Sequence, residues 1–274
     1  MRIRFCRPAG PQSIDDRFDL EIDALDELGI AHDTISMESV VDDELDLTEL
    51  SLCDDVLYRG WMLTAEEYER LASAVADVGG TLVTSPEEYE AAHYLPSWYA
   101  AVADDSPATR WTDGTDLTDV WEAACAVGGP PLVVKDHVKS VKEQWSEACY
   151  VPPGATREDV TATVHAMIDA RGERFERGVA VRRYIPLAYE HRVFFWQGAL
   201  VAEAPYLHDV EPQLPPSRFV RLGRVIDSPF FSADLALTHA GTWIVLEIGD
   251  GGVSTLPPTL DVRAFYRAIA RACA

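Results

Sequence analysis

The segment Trp243-Ile244-Val245-Leu246-Glu247-Ile248 constrains the chain more than any other, because it reads as a strand that is apolar on both faces yet carries a carboxylate. Trp243 and Val245 fall on one face and Ile244, Leu246 and Ile248 on the other, so both faces need cover from other layers. Strand and helix signals alternate along the rest of the 274 residues, with no internal repeat or low-complexity tract, which points to an α/β architecture. Glu247 then needs compensation, since a lone buried carboxylate is costly. Two kinds of partner are open on residues alone. One is a divalent cation, with Asp250 and the upstream Asp234 as further hard ligands. The other is an arginine, with Asp250-Gly251 serving as a hairpin turn.

The first hundred residues read as one lobe. Ile3 and Phe5 alternate with Arg2 and Arg4 as in a half-buried strand, and Phe18, Ile22, Leu25 and Leu28 mark a helical face ending at Gly29. Val56 and Tyr58 belong to a short strand that stops at Arg59-Gly60, and Thr64 with Glu67 opens a helix with a capping box. Ser85-Pro86-Glu87-Glu88 opens another, and residues 103–115, rich in Asp, Ser, Pro and Gly, read as a linker. Beyond it come a helix over 118–127, a strand Leu132 to Lys135, a helix over 156–170, and strands 179–185, 191–196 and 199–204, with Gln197-Gly198 as a tight turn. Residues 205–232 carry many prolines and no period, as a long loop or several connections would. Asp261 caps a terminal helix.

Composition narrows the function classes. With 47% hydrophobic and 25% charged residues the chain reads as soluble and globular. A net charge of −23 disfavours extended nucleic-acid or anionic-membrane binding. No apolar run reaches the roughly 18 residues of a membrane span, and Met1 to Arg7 lacks a secretory signal, so the expected location is the cytoplasm. Five scattered cysteines, without paired metal-ligand spacing, read as free thiols. Of 23 basic residues only Lys135, Lys139 and Lys142 are lysines, and all three fall in one stretch of eight. Such a cluster is either a solvated strand end or an anion site.

Further candidates lie on the later strands. Glu190 and Arg192 share one face, where the arginine can grip phosphoryl or carboxylate oxygens with two N–H groups, or the two can form a surface ion pair. The strand Ala180-Val181-Arg182-Arg183-Tyr184 offers a backbone edge to a nucleobase. No phosphate loop, dinucleotide fingerprint, nucleophile elbow or His-Glu-x-x-His motif is present.

Taken in order, Pro131-Leu132-Val133-Val134-Lys135, Val179 to Tyr184, Glu190-x-Arg192-x-Phe194, and Asp234 with Glu247 and Asp250 resemble the ATP-grasp superfamily over roughly the last 140 residues. They are similar to a divergent clade that includes the eukaryotic cell-division-cycle protein assembling translation initiation factor two and small bacterial proteins. Tyr58-Arg59-Gly60-Trp61, His93 to Tyr99 and Lys139-Ser140-Val141-Lys142, followed by Trp145 and Cys149, are similar to the bacterial branch.

The resemblance implies an ATP-grasp fold of α+β lobes behind an N-terminal preATP-grasp-like α/β domain, with nucleotide held between lobes. The segments expected are 1–104 for the N-terminal substrate lobe, 105–178 for the lobe with the lysine strand, and 179–274 for the lobe with the hinge strand and metal acids. It further implies ATP and Mg²⁺ as cofactors. Lys135, Lys139, Ser140 and Lys142 would lie at the phosphates, Arg182, Arg183 and Tyr184 at the base and ribose, and Asp234, Glu247 and Asp250 on the metal. Arg192 would act on the transferring group, supported by Glu190, and Arg59 and His93 would meet substrate. The implied reaction joins a carboxylate to an amine through an acyl phosphate, releasing ADP and phosphate, on a small-molecule or peptide substrate. The alternative is an assembly or regulatory factor that binds ATP without ligation. Gly249 stands where many relatives carry a metal-binding asparagine, and Arg182 or Arg183 where many carry a hinge glutamate.

Overall fold

The computed structural model describes residues 1–7, 16–42, 55–206, 215 and 217–272. These form two compact units, one of Met1–Ala92, Glu190–Leu235 and Ile248–Ala274, the other of His93–Tyr189 and Ala236–Glu247.

In the first unit, alternating strands and helices build a parallel sheet. β1 (Arg2–Arg7), α1 (Asp19–Leu28), β2 (His32–Ser36), α2 (Met37–Val41), β3 (Asp55–Arg59), α3 (Ala65–Asp77), β4 (Thr81–Leu82) and α4 (Pro86–His93) follow one another. The strand order is β2-β1-β3-β4, every pairing parallel. Local chemistry sets the element ends as the sequence predicts. α1 stops where Gly29 adopts φ 66°, a left-handed conformation that glycine reaches without steric cost. α3 begins with the Thr64–Glu67 capping box, in which each side chain accepts the other residue's backbone N–H. The core gathers Ile3, Phe5, Val56, Leu57, Tyr68, Leu71 and Val75 with Phe194, Trp196, Phe230, Phe265 and Tyr266 from later in the chain.

The second unit holds α5 (Leu95–Val102), β5 (Thr109–Trp111), α6 (Leu117–Ala126), β6 (Leu132–Asp136), α7 (Trp145–Ala148), β7 (Tyr150–Val151), α8 (Arg157–Arg171) and β8 (Val179–Arg183). Its sheet runs β5-β8-β6-β7 with antiparallel pairings, and Lys135 pairs with Ala180. Val120, Ala124, Val160, Val164 and Met167 cover it against Leu132, Val134, Val179 and Val181. The stretch 103–115, read as a linker, contains β5; its Pro and Gly residues flank only three strand residues, too few to show a period. β2, β4 and α5 likewise add elements to those read from the sequence.

A third sheet, ordered β10-β9-β11-β12, is built from β9 (Leu187–Trp196), β10 (Ala199–Pro205), β11 (Phe230–Thr238) and β12 (Trp243–Asp250), with α9 (Leu222–Val225) before β11 and α10 (Val262–Ala272) at the end. β9 and β10 form the expected hairpin through Gln197 and Gly198, at φ 47° and 80°. Within 205–232 the chain carries the turn of 3-10 helix Ser217–Arg221, α9 and the start of β11, while 207–214 and 216 lie outside the described residues. Asp261 caps α10 by accepting the Ala264 N–H at 2.9 Å. Cys125 and Cys149 are free thiols; Cys53, Cys273 and the side chain of Cys6 lie outside the described residues.

Candidate functional site

β12 delivers Glu247 and β6 delivers Lys135, as their apolar runs predict. The Lys135 ammonium donates to Glu247 Oε1 at 2.5 Å, with Lys135 almost fully buried and the glutamate side chain 30% exposed. Among the described residues, the group hydrogen-bonded to Glu247 is thus a lysine. Burial by itself works to raise the carboxyl pKa, but Lys135, Lys142 and Arg182 outweigh it and hold the group down at about 2. Glu247 is thus ionised at every physiological pH.

Several cations act on this acid. Arg182 is buried; it donates to the Thr109 hydroxyl at 3.1 Å and to the Leu246 carbonyl, and its second terminal nitrogen is buried with no partner among the described residues. Burial lowers its pKa, with Glu247 acting against that. Burial also lowers the pKa of Lys139, with Arg171 adding to the effect. An orphaned guanidinium N–H and cations depressed by burial and by one another are what a polyanion would relieve. His93 sits in the same field of Glu247, Lys135 and Lys139, and burial drives its pKa down to about 3.

Asp136, the last residue of β6, is the organiser that sequence reading passed over. It is fully buried; Oδ1 accepts the backbone N–H groups of Val138 and Lys139 at 2.7 and 2.5 Å, and Oδ2 accepts Arg171 Nε at 2.6 Å. A carboxylate at a strand end that caps the next two amides fixes the turn into the lysine segment. An aspartate directly after the strand lysine was the available signal. Ser140 is half-buried, and Lys139 and Lys142 are exposed. Tyr184 closes an aromatic group with Trp145 and Tyr150: the Trp145 and Tyr150 rings stack at 5.5 Å, and Tyr184 meets Tyr150 edge-on at 4.8 Å. Arg183 is exposed.

In the other unit, β9 and β11 bring Arg192 to Asp234. Nε and Nη2 donate to the two carboxylate oxygens at 2.7 and 2.9 Å, Nη1 donates to the Thr255 carbonyl at 2.8 Å, and the guanidinium lies over the Tyr206 ring at 4.8 Å. Glu190 lies two residues earlier on β9, half-buried. Asp250 turns into its own loop: Oδ1 accepts the Val253 N–H at 3.2 Å, and burial raises its pKa to about 7 against the pull of the Gly252 and Val253 amides and Arg59. Arg59 is buried, and Glu21 and three backbone carbonyls take its donors. Among the described residues no group of three or more His, Cys, Asp or Glu side chains is arranged to hold a metal ion. Among them, too, no helix is long and apolar enough to cross a membrane.

The fold is similar to those of several known proteins. The chain resembles the solved structure of the D-cycloserine synthetase DcsG at TM-score 0.68 and 16% identity, over 100% of each chain. The macrocyclase MdnC bound with precursor peptide MdnA from Microcystis aeruginosa gives TM-score 0.62 and 15% identity, over 99% of each. D-alanine–D-alanine ligase from Bacillus anthracis complexed with ATP gives 0.60 and 12%, over 100% of this chain and 92% of the other. At these identities the likeness shows the fold. No curated protein matches the chain. The family model for the ATP-grasp domain of R2K clade family 3 matches residues 126–269, more than half of the 274. The strand lysine on β6, the arginine on β9 and the glutamate on β12 all fall inside that match, and the chain belongs to this divergent ATP-grasp family.

Proposed function

We propose that the chain is an ATP-dependent carboxylate–amine ligase that activates its acid by phosphorylation and releases ADP and phosphate. The observation that carries this reading is the charge around Glu247: Lys135 at 2.5 Å, with Lys142 and Arg182 also acting on it, in a chain whose net charge is −23. Gathering like charges is unfavourable unless an anion joins them, and a polyphosphate supplies that anion.

Lys135, Lys139, Ser140 and Lys142 would bind the outer phosphates, and Arg182, Arg183 and Tyr184 the base and ribose. Glu247, ionised and partly exposed, is a hard oxygen donor of the kind Mg²⁺ takes beside phosphate oxygens. When bound, the ion supplies Lewis-acid neutralisation of phosphate charge. Asp234 we assign to Arg192, which donates to both its oxygens, and Asp250 to its turn, where Oδ1 accepts the Val253 N–H. Arg192, gripped on both sides of its fork, would stabilise charge spreading over the transferring phosphoryl oxygens, with Glu190 supporting it. The substrate class, an acid and an amine on a small molecule or peptide, is supported by neighbours named as a D-alanine–D-alanine ligase, a D-cycloserine synthetase and a macrocyclase with its precursor peptide.

The test is nucleotide chromatography after incubation with Mg·ATP and panels of acids and amines. ADP formed only when both substrates are present is the expected result. AMP as the stoichiometric product overturns phosphorylation of the acid, and ATP bound but intact across the panels leaves a nucleotide-binding assembly factor.

A further inference from the structure

Arg59 lies at the end of β3, and it is only 1% exposed. Its Nε and Nη2 donate to Glu21 Oε2 and Oε1 at 3.0 and 2.7 Å, and the Tyr266 hydroxyl donates to the same carboxylate. Nη1 donates to the carbonyls of Gly251, Gly252 and Ser254 at 2.8, 3.0 and 3.0 Å. Glu21 and Tyr266 hold the guanidinium in the charged state despite burial, raising its pKa further above the usual arginine value. Three carbonyls converging on one buried cation fix the path of a loop, because each peptide unit is planar and has only two soft angles per residue. Gly252 is needed there: a Cβ on it would lie 2.5 Å from the Tyr58 carbonyl oxygen.

The residue after this clamp is Thr255, whose carbonyl accepts Arg192 Nη1 at 2.8 Å. Arg192 is therefore held both by the Asp234 carboxylate and by the loop that Arg59 holds one peptide earlier. We propose that Arg59 is a positioning residue for Arg192, acting through the loop Gly251 to Thr255, and not a contact for substrate. The role of Arg192 in this statement rests on the ligase reading above. A guanidinium that must meet oxygens of a transition state works only in a fixed orientation, and small displacements of such a group cost large factors in rate.

The experiment compares wild type, R59K, E21Q, R192K and the R59K/R192K double variant. A lysine at 59 keeps the charge but cannot serve Glu21 and three carbonyls together. The first readout is the Arg192 Nε–H signal by NMR, assigned through its loss in R192K. In folded R59K the signal is expected to move and to exchange faster with water, with a smaller change in E21Q; an unmoved signal overturns the proposal. The second readout is ADP release: kcat is expected to fall about tenfold or more while KM for Mg·ATP stays within about twofold. In the R192K background R59K should add little, whereas additive losses would mean an unrelated structural role and would sink the idea. If R59K does not fold, E21Q carries both readouts and either unmoved quantity decides against positioning. Absence of ADP release by wild type would count against the ligase reading alone, and the NMR comparison would still decide this one.

Discussion

Lys135 and Glu247, 112 residues apart in the chain, meet with Nζ and Oε1 2.5 Å apart. Each neutralises the other, and each is the group expected to turn to a ligand: the ammonium to phosphate, the carboxylate to a metal ion. Replacing Lys135 by alanine removes both the phosphate cation and the closest counter-charge of Glu247. The variant should lose the rise in Tm that saturating Mg·ATP gives the wild type, and should itself be destabilised by about 1–3 kcal/mol, the usual cost of stranding a charged hydrogen-bond partner. Paired melting curves with and without Mg·ATP measure both. An undiminished nucleotide shift in Lys135→Ala would place the phosphates elsewhere.

Arg192→Lys keeps the charge at a position where two donors grip Asp234 and a third reaches Thr255. A point charge cannot reproduce that fork. Turnover should fall by roughly two to three orders of magnitude, the scale for losing a charge-stabilising donor, with little change in the nucleotide Kd. Steady-state rates and calorimetric titration separate the two quantities, and a loss confined to binding would refute the assignment.

His93 gives the fold an acid sensitivity of its own. Burial lowers its pKa to about 3 from 6.5, so between those values the unfolded chain holds a proton that the folded chain does not. This contribution to stability is present in full above pH 6.5 and is lost as pH falls through the window, on the order of 3 kcal/mol by pH 4. His93→Gln should flatten the fall in urea-unfolding free energy between pH 7 and pH 4 by about that amount. Identical slopes in the two proteins would show that His93 takes up its proton as readily in the folded chain as in the unfolded one.

A chain with 46 acidic and 23 basic residues repels itself. Salt shortens the reach of that repulsion to about 8 Å at 0.15 M. Stability should therefore rise from low ionic strength to 1 M sodium chloride, opposite to a protein held together by surface ion pairs. Thermal melts across a salt series read this directly; a Tm that falls with salt would mean that attractive pairs dominate.

What could be read from sequence was local. The Thr64–Glu67 box, the stop at Gly29, the Gln197-Gly198 turn and the two-faced burial of β12 are each set by residues within a few positions of one another. β5 was hidden because a strand of three residues inside a Pro- and Gly-containing stretch has no period to detect. The candidate site divides the same way. Lys135 and Glu247 stood out at strand ends, but that they face one another is a property of the sheets. Arg59 looked available to a substrate because it follows a strand at a glycine turn. The residues that take up its donors, Glu21 and Gly251 to Ser254, lie 38 and up to 195 positions away, and no pattern around Arg59 announces them.

The confinement of every lysine to positions 135, 139 and 142 makes the chain chemically addressable. Reagents that acylate or reductively alkylate lysine amines meet only this cluster. Lys139 and Lys142 are open to solvent, and Lys135 is shielded by Glu247. The extent of lysine labelling on the intact protein is then itself a footprint of the candidate phosphate site, and the same economy means that enzymatic acetylation of any lysine would fall on residues assigned to the nucleotide.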